Sequence, residues 1–427
     1  MVVMRGWPVV LAMCAACYGD QADAPPDSGA IDDPREIVTL QFYADAVDLG
    51  GFAVYFQNAD SSLVMATRTD SDGRARARML PGGFVTIALP SGRMYTYADV
   101  RGGDTLVVNE ADNNTERKEI QVALPPSPGA NLYTMWTNCG ATRLDRDPIE
   151  QGMPQQVLLI GCGPISDVVI TASSTEPQPF GSNYRYLYRK DVPLDPSAIT
   201  TFETEFVPQI DSEVIATALR DPAPRVVFTQ QLVRDRRELG QSRSITVDVV
   251  GNAASGRIAK MFAPEDGMTL TRVTPQALGL SGQTTLVWGP SGSETEIALG
   301  AQALRSYTTR PRIVANASSV QWTEEPTGGI GDLVMLELSW SPPGSRSRMW
   351  KVLSPRTEAA IVRYPVLPDG ELRPAADAWV TQLATIAVDD GSSARTTLLG
   401  SWPANDAWLA DTDAGRADYR VLVPPFN

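Results

Sequence analysis

The chain is 427 residues long, with 50 acidic against 36 basic side chains and a formal net charge of −14 at pH 7. Its hydrophobic fraction of 43% can fill the cores of several domains of roughly 100–150 residues, which excludes wholesale disorder. The acidic balance repels phosphate backbones and anionic membrane surfaces, and so argues against nucleic acid as a partner.

More is excluded by a missing residue type. The sequence contains no histidine, so Ser-His-Asp and Cys-His catalysis, His-ligated zinc and HExxH peptidase chemistry are ruled out. The lysines are Lys118, Lys190, Lys260 and Lys351, and none sits at the Ser-x-x-Lys spacing. What remains for catalysis is a carboxylate pair, as glycoside hydrolysis uses. No acidic residue stands in a distinctive context; Asp389-Asp390 before Gly391 reads as a turn.

Met1 to Cys17 reads MVVMRGWPVVLAMCAAC, in which one charge, Arg5, precedes an apolar run from Gly6 to Ala16. The run is too short to span a bilayer. This layout resembles a bacterial lipoprotein signal peptide, where a small-residue pair, here Ala15-Ala16, directly precedes the lipidated cysteine, here Cys17. Cys14 stands where that pattern has leucine. The resemblance implies a lipid on Cys17 and a place in the cell envelope; ordinary cleavage and secretion is the alternative. Residues 18–34, YGDQADAPPDSGAIDDP, lack hydrophobic periodicity and read as a disordered acidic, Pro-rich tether.

From Ile37 onward, short alternating runs such as IVTLQFYA, GFAVYF, ARARML and FVTIAL recur between Gly, Pro, Asp and Asn. Many short strands with regular turn signals predict an all-β chain of tandem β-sandwich domains. The best helical stretch, Ala375 to Leu383, is expected to be a short connector. No repeat is regular enough for a solenoid or propeller. Breaks at Leu124–Gly129 (LPPSPG), Asp221–Pro224 and Pro311 divide the chain into a sandwich at 35–124, a β domain with both remaining cysteines at 125–221, a β domain at 222–312 and a Trp-rich β domain at 313–427.

In Val64 to Leu89, a strand ends in Thr69-Asp70, Gly73 marks a turn, a second strand runs to Pro81-Gly82, and a third spans Phe84 to Leu89. This resembles a carboxypeptidase regulatory-like, transthyretin-type domain over residues 37–123. The resemblance implies a transthyretin-like or Ig-like sandwich serving as a spacer, adhesive or regulatory module, with no catalytic residue to carry over. Cys139 and Cys162 end neighbouring strand-like runs, which in an oxidising compartment favours a disulfide; two buried free thiols are the alternative.

Other candidates have two readings each. Asp70 and Asp72 before Gly73 present oxygens suited to calcium as a cofactor, or form a tight turn. Asp411-Thr-Asp413 invites the same choice. Arg74, Arg76 and Arg78 share one strand face, which could meet an acidic glycan or phosphate or simply block edge pairing. Tyr184, Tyr186 and Tyr188 share a face and, with Trp402 and Trp408 in SWPANDAW, could stack on sugars or pack internally. Trp340 falls in the apolar register of DLVMLELSW and reads as core. Together these features predict a non-enzymatic envelope lipoprotein whose modules bind polysaccharide or envelope proteins, or serve adhesion or structure. A secreted carboxylate-dependent glycoside hydrolase or lyase is the alternative.

Overall fold

The computed structural model describes residues 35–44, 49–110, 117–137, 139–160, 162, 164–174, 185–208, 210–218, 223–234, 237–241, 244–260, 268–276, 282–290, 296–299, 304–314, 318–342, 347–374, 378–389 and 415–422. Cys17, Tyr184, Trp402, Trp408, Asp411 and Asp413 lie outside them. The protein is all-β. Alternation sets the strands: in Arg74–Met79 the arginines are exposed while Ala75, Ala77 and Met79 are buried, because successive strand side chains face opposite sides.

Strands β1 (Glu36–Ala44), β2 (Ala53–Gln57), β3 (Leu63–Arg68), β4 (Arg74–Met79), β5 (Gly83–Ala88), β6 (Arg93–Val100) and β7 (Thr105–Glu110) form a first sandwich. One sheet runs β4-β1-β7 with β7 parallel to β1, and the other runs β3-β2-β5-β6, antiparallel throughout. Val38, Leu40 and Phe42 of the first sheet pack against Val54, Phe56, Val85 and Ile87 of the second. The turn before β4 demands glycine at position 73. Its φ is +77° and a Cβ would stand 2.3 Å from the Phe42 carbonyl oxygen.

The same arrangement recurs. β8 (Arg117–Ala123), β9 (Leu132–Thr137), β10 (Gly140–Leu144), β11 (Gln155–Ile160), β12 (Ile165–Ser173), β13 (Arg185–Pro193) and β14 (Ile199–Thr201) pair as β11-β8-β14, with β14 parallel to β8, and as β10-β9-β12-β13, extended by β15 (Val207–Pro208). A short helix, α1 (Arg146–Glu150), precedes β11. A third unit holds β16 (Ile210–Thr217), β17 (Arg225–Arg234), β18 (Arg237–Gln241), β19 (Ile245–Asp248), β20 (Ala254–Lys260), β21 (Met268–Pro275), β22 (Gly282–Pro290) and β23 (Glu296–Ala298). Its sheets are β20-β16-β23, with β23 parallel to β16, and β18-β17-β21-β22, with β19 also on β17.

The fourth unit contains β24 (Arg312–Val314), β25 (Ser319–Gln321), β26 (Leu333–Trp340), β27 (Arg348–Pro355), β28 (Ile361–Arg363), β29 (Trp379–Asp389) and β30 (Gly415–Leu422). They pair as β24-β25-β28 and β27-β26-β29-β30. Among the described residues, the place beside the unit's first strand, taken elsewhere by a parallel last strand, here holds the antiparallel β24. Among the described residues one strand order is thus used in full three times, and a fourth time with β24 in place of the parallel last strand, without a matching sequence repeat, since pleat alternation and turn placement, not residue identity, select it.

Two joints fuse three of these sandwiches. β27 pairs in parallel with β6, and β22 pairs antiparallel with β30, giving one 13-stranded sheet. The second sandwich meets the third through Val169 and Leu232, with Trp136 and Tyr188 packed alongside. β8 precedes the Pro-rich Leu124–Gly129 break yet pairs with β11 and β14 beyond it, and β16 precedes the Asp221–Pro224 break yet pairs with β20 and β23. Both Pro-rich stretches connect the first and second strands of a sandwich, because proline interrupts any strand ladder, internal or between domains.

The helical expectation for Ala375 to Leu383 is overturned from Trp379 onward, which belongs to β29. Pairing with β26 and β30 on both sides outweighs local propensity there; residues 375–377 lie outside the described set. Cys139 and Cys162 form a disulfide with Cα atoms 5.2 Å apart and a sequence separation of 23. Closing a loop of that size stabilises by about 3 kcal/mol in the chain-entropy model. Cys139→Ala/Cys162→Ala is therefore expected to lower the denaturant midpoint of the second sandwich, and an unchanged midpoint would show that the bridge adds no stability.

Candidate functional site

Three arginines share the outward face of β4. Arg74, Arg76 and Arg78 are exposed and stand directly across from Gln41, Thr39 and Ile37 of β1. Tyr43, 48% exposed, continues that row along β1, and β7 adds Thr105 and Val107. None of these outward positions is acidic. Gln41 is buried beneath the row. Its Oε1 accepts from Arg74 Nε at 2.7 Å, and its Nε2 donates to the Asp72 carbonyl at 2.7 Å. A buried amide thus sets the guanidinium's orientation.

Asp70, considered above for calcium, has a turn role. Its Oδ1 accepts the backbone N–H groups of Asp72 at 3.0 Å and Arg74 at 2.7 Å, which is the Asx-turn use of aspartate. Among the described residues no group of three or more acidic or cysteine side chains is placed to hold a metal ion.

The aromatic candidates separate. Tyr186 and Tyr188 are half-buried on β13; burial pushes the Tyr186 phenol above its ordinary range, and Tyr188 packs at the contact between the second and third sandwiches. Trp322, Trp340 and Trp350 are core residues of the fourth sandwich, while Trp379 is 45% exposed.

Sequence reasoning missed two networks built on buried charged side chains. Arg356 pairs with Glu324 at 2.8 Å with both side chains buried, lies 5.1 Å from the centre of the Trp322 ring, and Trp322 Nε1 donates to Glu324 at 2.6 Å. Asp418 on β30 accepts from Gln283 Nε2 at 2.9 Å and Thr285 Oγ1 at 2.6 Å across the joint with β22, and from Arg416 Nε at 2.8 Å. Both carboxylates are fully engaged by donors, an arrangement that holds structure rather than a reacting bond. No local motif announces either, because the partners are distant in sequence.

Tyr307 is also buried, with its hydroxyl 2.8 Å from Thr385 Oγ1 and donating to the Arg420 carbonyl at 3.1 Å. Burial pushes its phenol far above the usual tyrosine range. The neutral form is thus favoured in the folded state. Its contribution is fully present below the unfolded value of about 10 and is lost as pH rises beyond it. Tyr307→Phe is expected to make unfolding midpoints fall less steeply above about pH 10 than in the parent; identical alkaline slopes would show that Tyr307 is not the group responsible.

No family model matches the chain, and no curated protein matches it either. Among solved structures, it is similar to the Bacillus anthracis TIE protein at 13% identity and a TM-score of 0.17, covering 62% of this chain and 49% of that one. A streptococcal ancillary pilin aligns at 7% identity and a TM-score of 0.15, covering 62% and 98% respectively. The pilus adhesin SpaC of Lactobacillus rhamnosus GG aligns at 11% and 0.15, covering 75% and 43%. This chain spans about half the length of the first of these. At such TM-scores the alignments assign no topology, and the all-β architecture stands on its own strand pairings. No described helix is long and apolar enough to cross a membrane.

Proposed function

We propose that the protein is an exported, non-enzymatic surface protein whose tandem sandwiches form a stiff body presenting binding or adhesive faces, tethered to the cell envelope by a lipid on Cys17. The observation that carries this reading is the sheet that runs through three sandwiches by direct strand pairing. Flexibly linked domains move independently by default, whereas backbone-paired joints hold their faces in fixed register. A disulfide fits an oxidising compartment. The first sandwich is proposed as the transthyretin-type module, its Thr69–Gly73 and Leu80–Gly82 turns falling between β3, β4 and β5. The units are proposed to extend over the strands at 36–110, 117–208, 210–298 and 312–422 in place of borders at 124, 221 and 312.

The test is the mass of the N-terminal peptide of protein purified from its own host. A diacylglyceryl group on Cys17 is the expected result; an unmodified N-terminus beyond Cys17 would overturn the anchor and make the protein a released one. Release of reducing ends from a broad polysaccharide panel would overturn the non-enzymatic part.

A further inference from the structure

We propose that the outward face of the β4-β1-β7 sheet binds an acidic polysaccharide, with Arg74, Arg76 and Arg78 meeting its carboxylates and Tyr43 stacking on a sugar ring. The proposal deepens, and rests on, the reading of the chain as a surface binding protein. Alternate strand positions are about 6.8 Å apart, so the three guanidinium groups form a straight array spanning about 14 Å. Such an array suits an extended polyanion better than a compact phosphate. Guanidinium forks match carboxylates in bidentate geometry.

Three observations separate this face from an ordinary solvated edge. First, neither Arg76 nor Arg78 has an acidic partner among the described residues, and the facing positions on β1 and β7 are all uncharged. The nearest acids in sequence, Asp70 and Asp72, lie in the turn, where the Asp70 carboxylate is held by backbone N–H groups. Second, Gln41, only 6% exposed, orients Arg74 through Nε, leaving the outer nitrogens to a ligand. Third, the repeated architecture supplies internal comparisons at the equivalent edge strand. In the second sandwich β11 exposes Leu158 and Ile160 there, at 42% and 51%. In the third, Arg257 of β20 stands directly opposite Glu213. Edge protection therefore does not by itself demand an uncompensated cationic row at this position. The row is an island of positive charge on a chain of net charge −14, so close contact with a polyanion is favoured at this face over the acidic surface elsewhere. Tyr43 adds an exposed amphipathic ring at the end of the row, able to cover the apolar face of a sugar.

The test uses the full chain with polygalacturonate as probe, dextran as the neutral control and polyphosphate as the non-glycan polyanion, read by titration calorimetry at two salt concentrations. Polygalacturonate is expected to bind in a salt-sensitive way, with dextran silent. Arg76→Gln/Arg78→Gln, which disturbs no described hydrogen bond, should weaken binding roughly ten-fold or more, and adding Arg74→Gln should weaken it further. Arg257→Gln/Arg363→Gln, at equivalent strands of other sandwiches, should leave it unchanged. Tyr43→Ala should weaken polygalacturonate but not polyphosphate. The proposal is overturned if polygalacturonate does not bind, if the β4 variants bind like the parent, or if Tyr43→Ala affects both polyanions equally. Binding of parent and β4 variants to isolated wall material of the host separates the two readings. Equal binding would leave the surface-binding role standing and remove this face from it, whereas no binding by either would count against the role itself.

Discussion

Trp350→Ala is expected to destabilise the fourth sandwich by about 3–5 kcal/mol, the range for removing a buried tryptophan side chain. Trp350 is fully buried, packed 5.4 Å from the Tyr364 ring and 6.4 Å from Trp340. Its indole N–H donates to Thr96 Oγ1 at 2.8 Å, and that hydroxyl also meets Thr86 at 2.6 Å. Thr86 and Thr96 belong to the first sandwich, so one side chain fills the core of the fourth and fastens the β27/β6 joint. Trp350→Phe separates the two roles. It keeps much of the apolar contact but removes the donor, and should cost about 1–2 kcal/mol. A chain of several sandwiches need not unfold in one step. The readings are therefore the denaturant transition that exposes the fourth core and the hydrogen-exchange protection of β6 and β27. If Trp350→Ala left both within about 1 kcal/mol of the parent, the joint would not depend on this residue.

The second large effect falls on the other joint. Asp418→Ala is expected to cost about 3 kcal/mol, the lower end of what breaking a buried ion pair does. Asp418 is 1% exposed and collects donors from Gln283, Thr285 and Arg416. Its loss strands three groups at the seam between β22 and β30. The lower figure applies because Arg416 retains some solvent contact, 18% for its side chain. Arg416→Met combined with Asp418→Ala should recover part of the loss, since removing both charges leaves no uncompensated cation. Hydrogen exchange along β22 and β30 locates the effect. Loss of protection spread evenly over the chain, rather than concentrated at this seam, would contradict a joint-specific role for Asp418.

How much of this was readable beforehand follows from the range over which each signal acts. RARARM needs only its own alternation to declare a half-buried strand, and the buried set Val334, Leu336, Leu338 and Trp340 follows from the same period in DLVMLELSW. The turn at Asp70–Gly73 was legible as well, because glycine and aspartate act on their own backbone. Ala375 to Leu383 misled for the converse reason: its local preference is weak, and two neighbouring strands over 40 residues away in one case and 30 in the other decided its conformation. The Pro-rich breaks read as borders in the sequence because proline marks the end of a strand but not what the next strand pairs with. The arginine row was visible as a row. What lay across from it was not, since the uncharged partners on β1 are more than 30 residues earlier.

By itself, then, the sequence determined the all-β class, the strand alternation, the absence of histidine chemistry and the pairing of Cys139 with Cys162 as the favoured bridge. Those depend on composition, on period and on neighbours close along the chain. Only the tertiary structure decided that one strand order is used in full three times and a fourth time with β24 substituted, that β27 takes β6 and β22 takes β30 as neighbours, and that Asp418 and Glu324 are buried with their partners. Such choices depend on backbone edges and side chains meeting across tens to hundreds of residues, where many pairings satisfy the same local pattern and packing selects one.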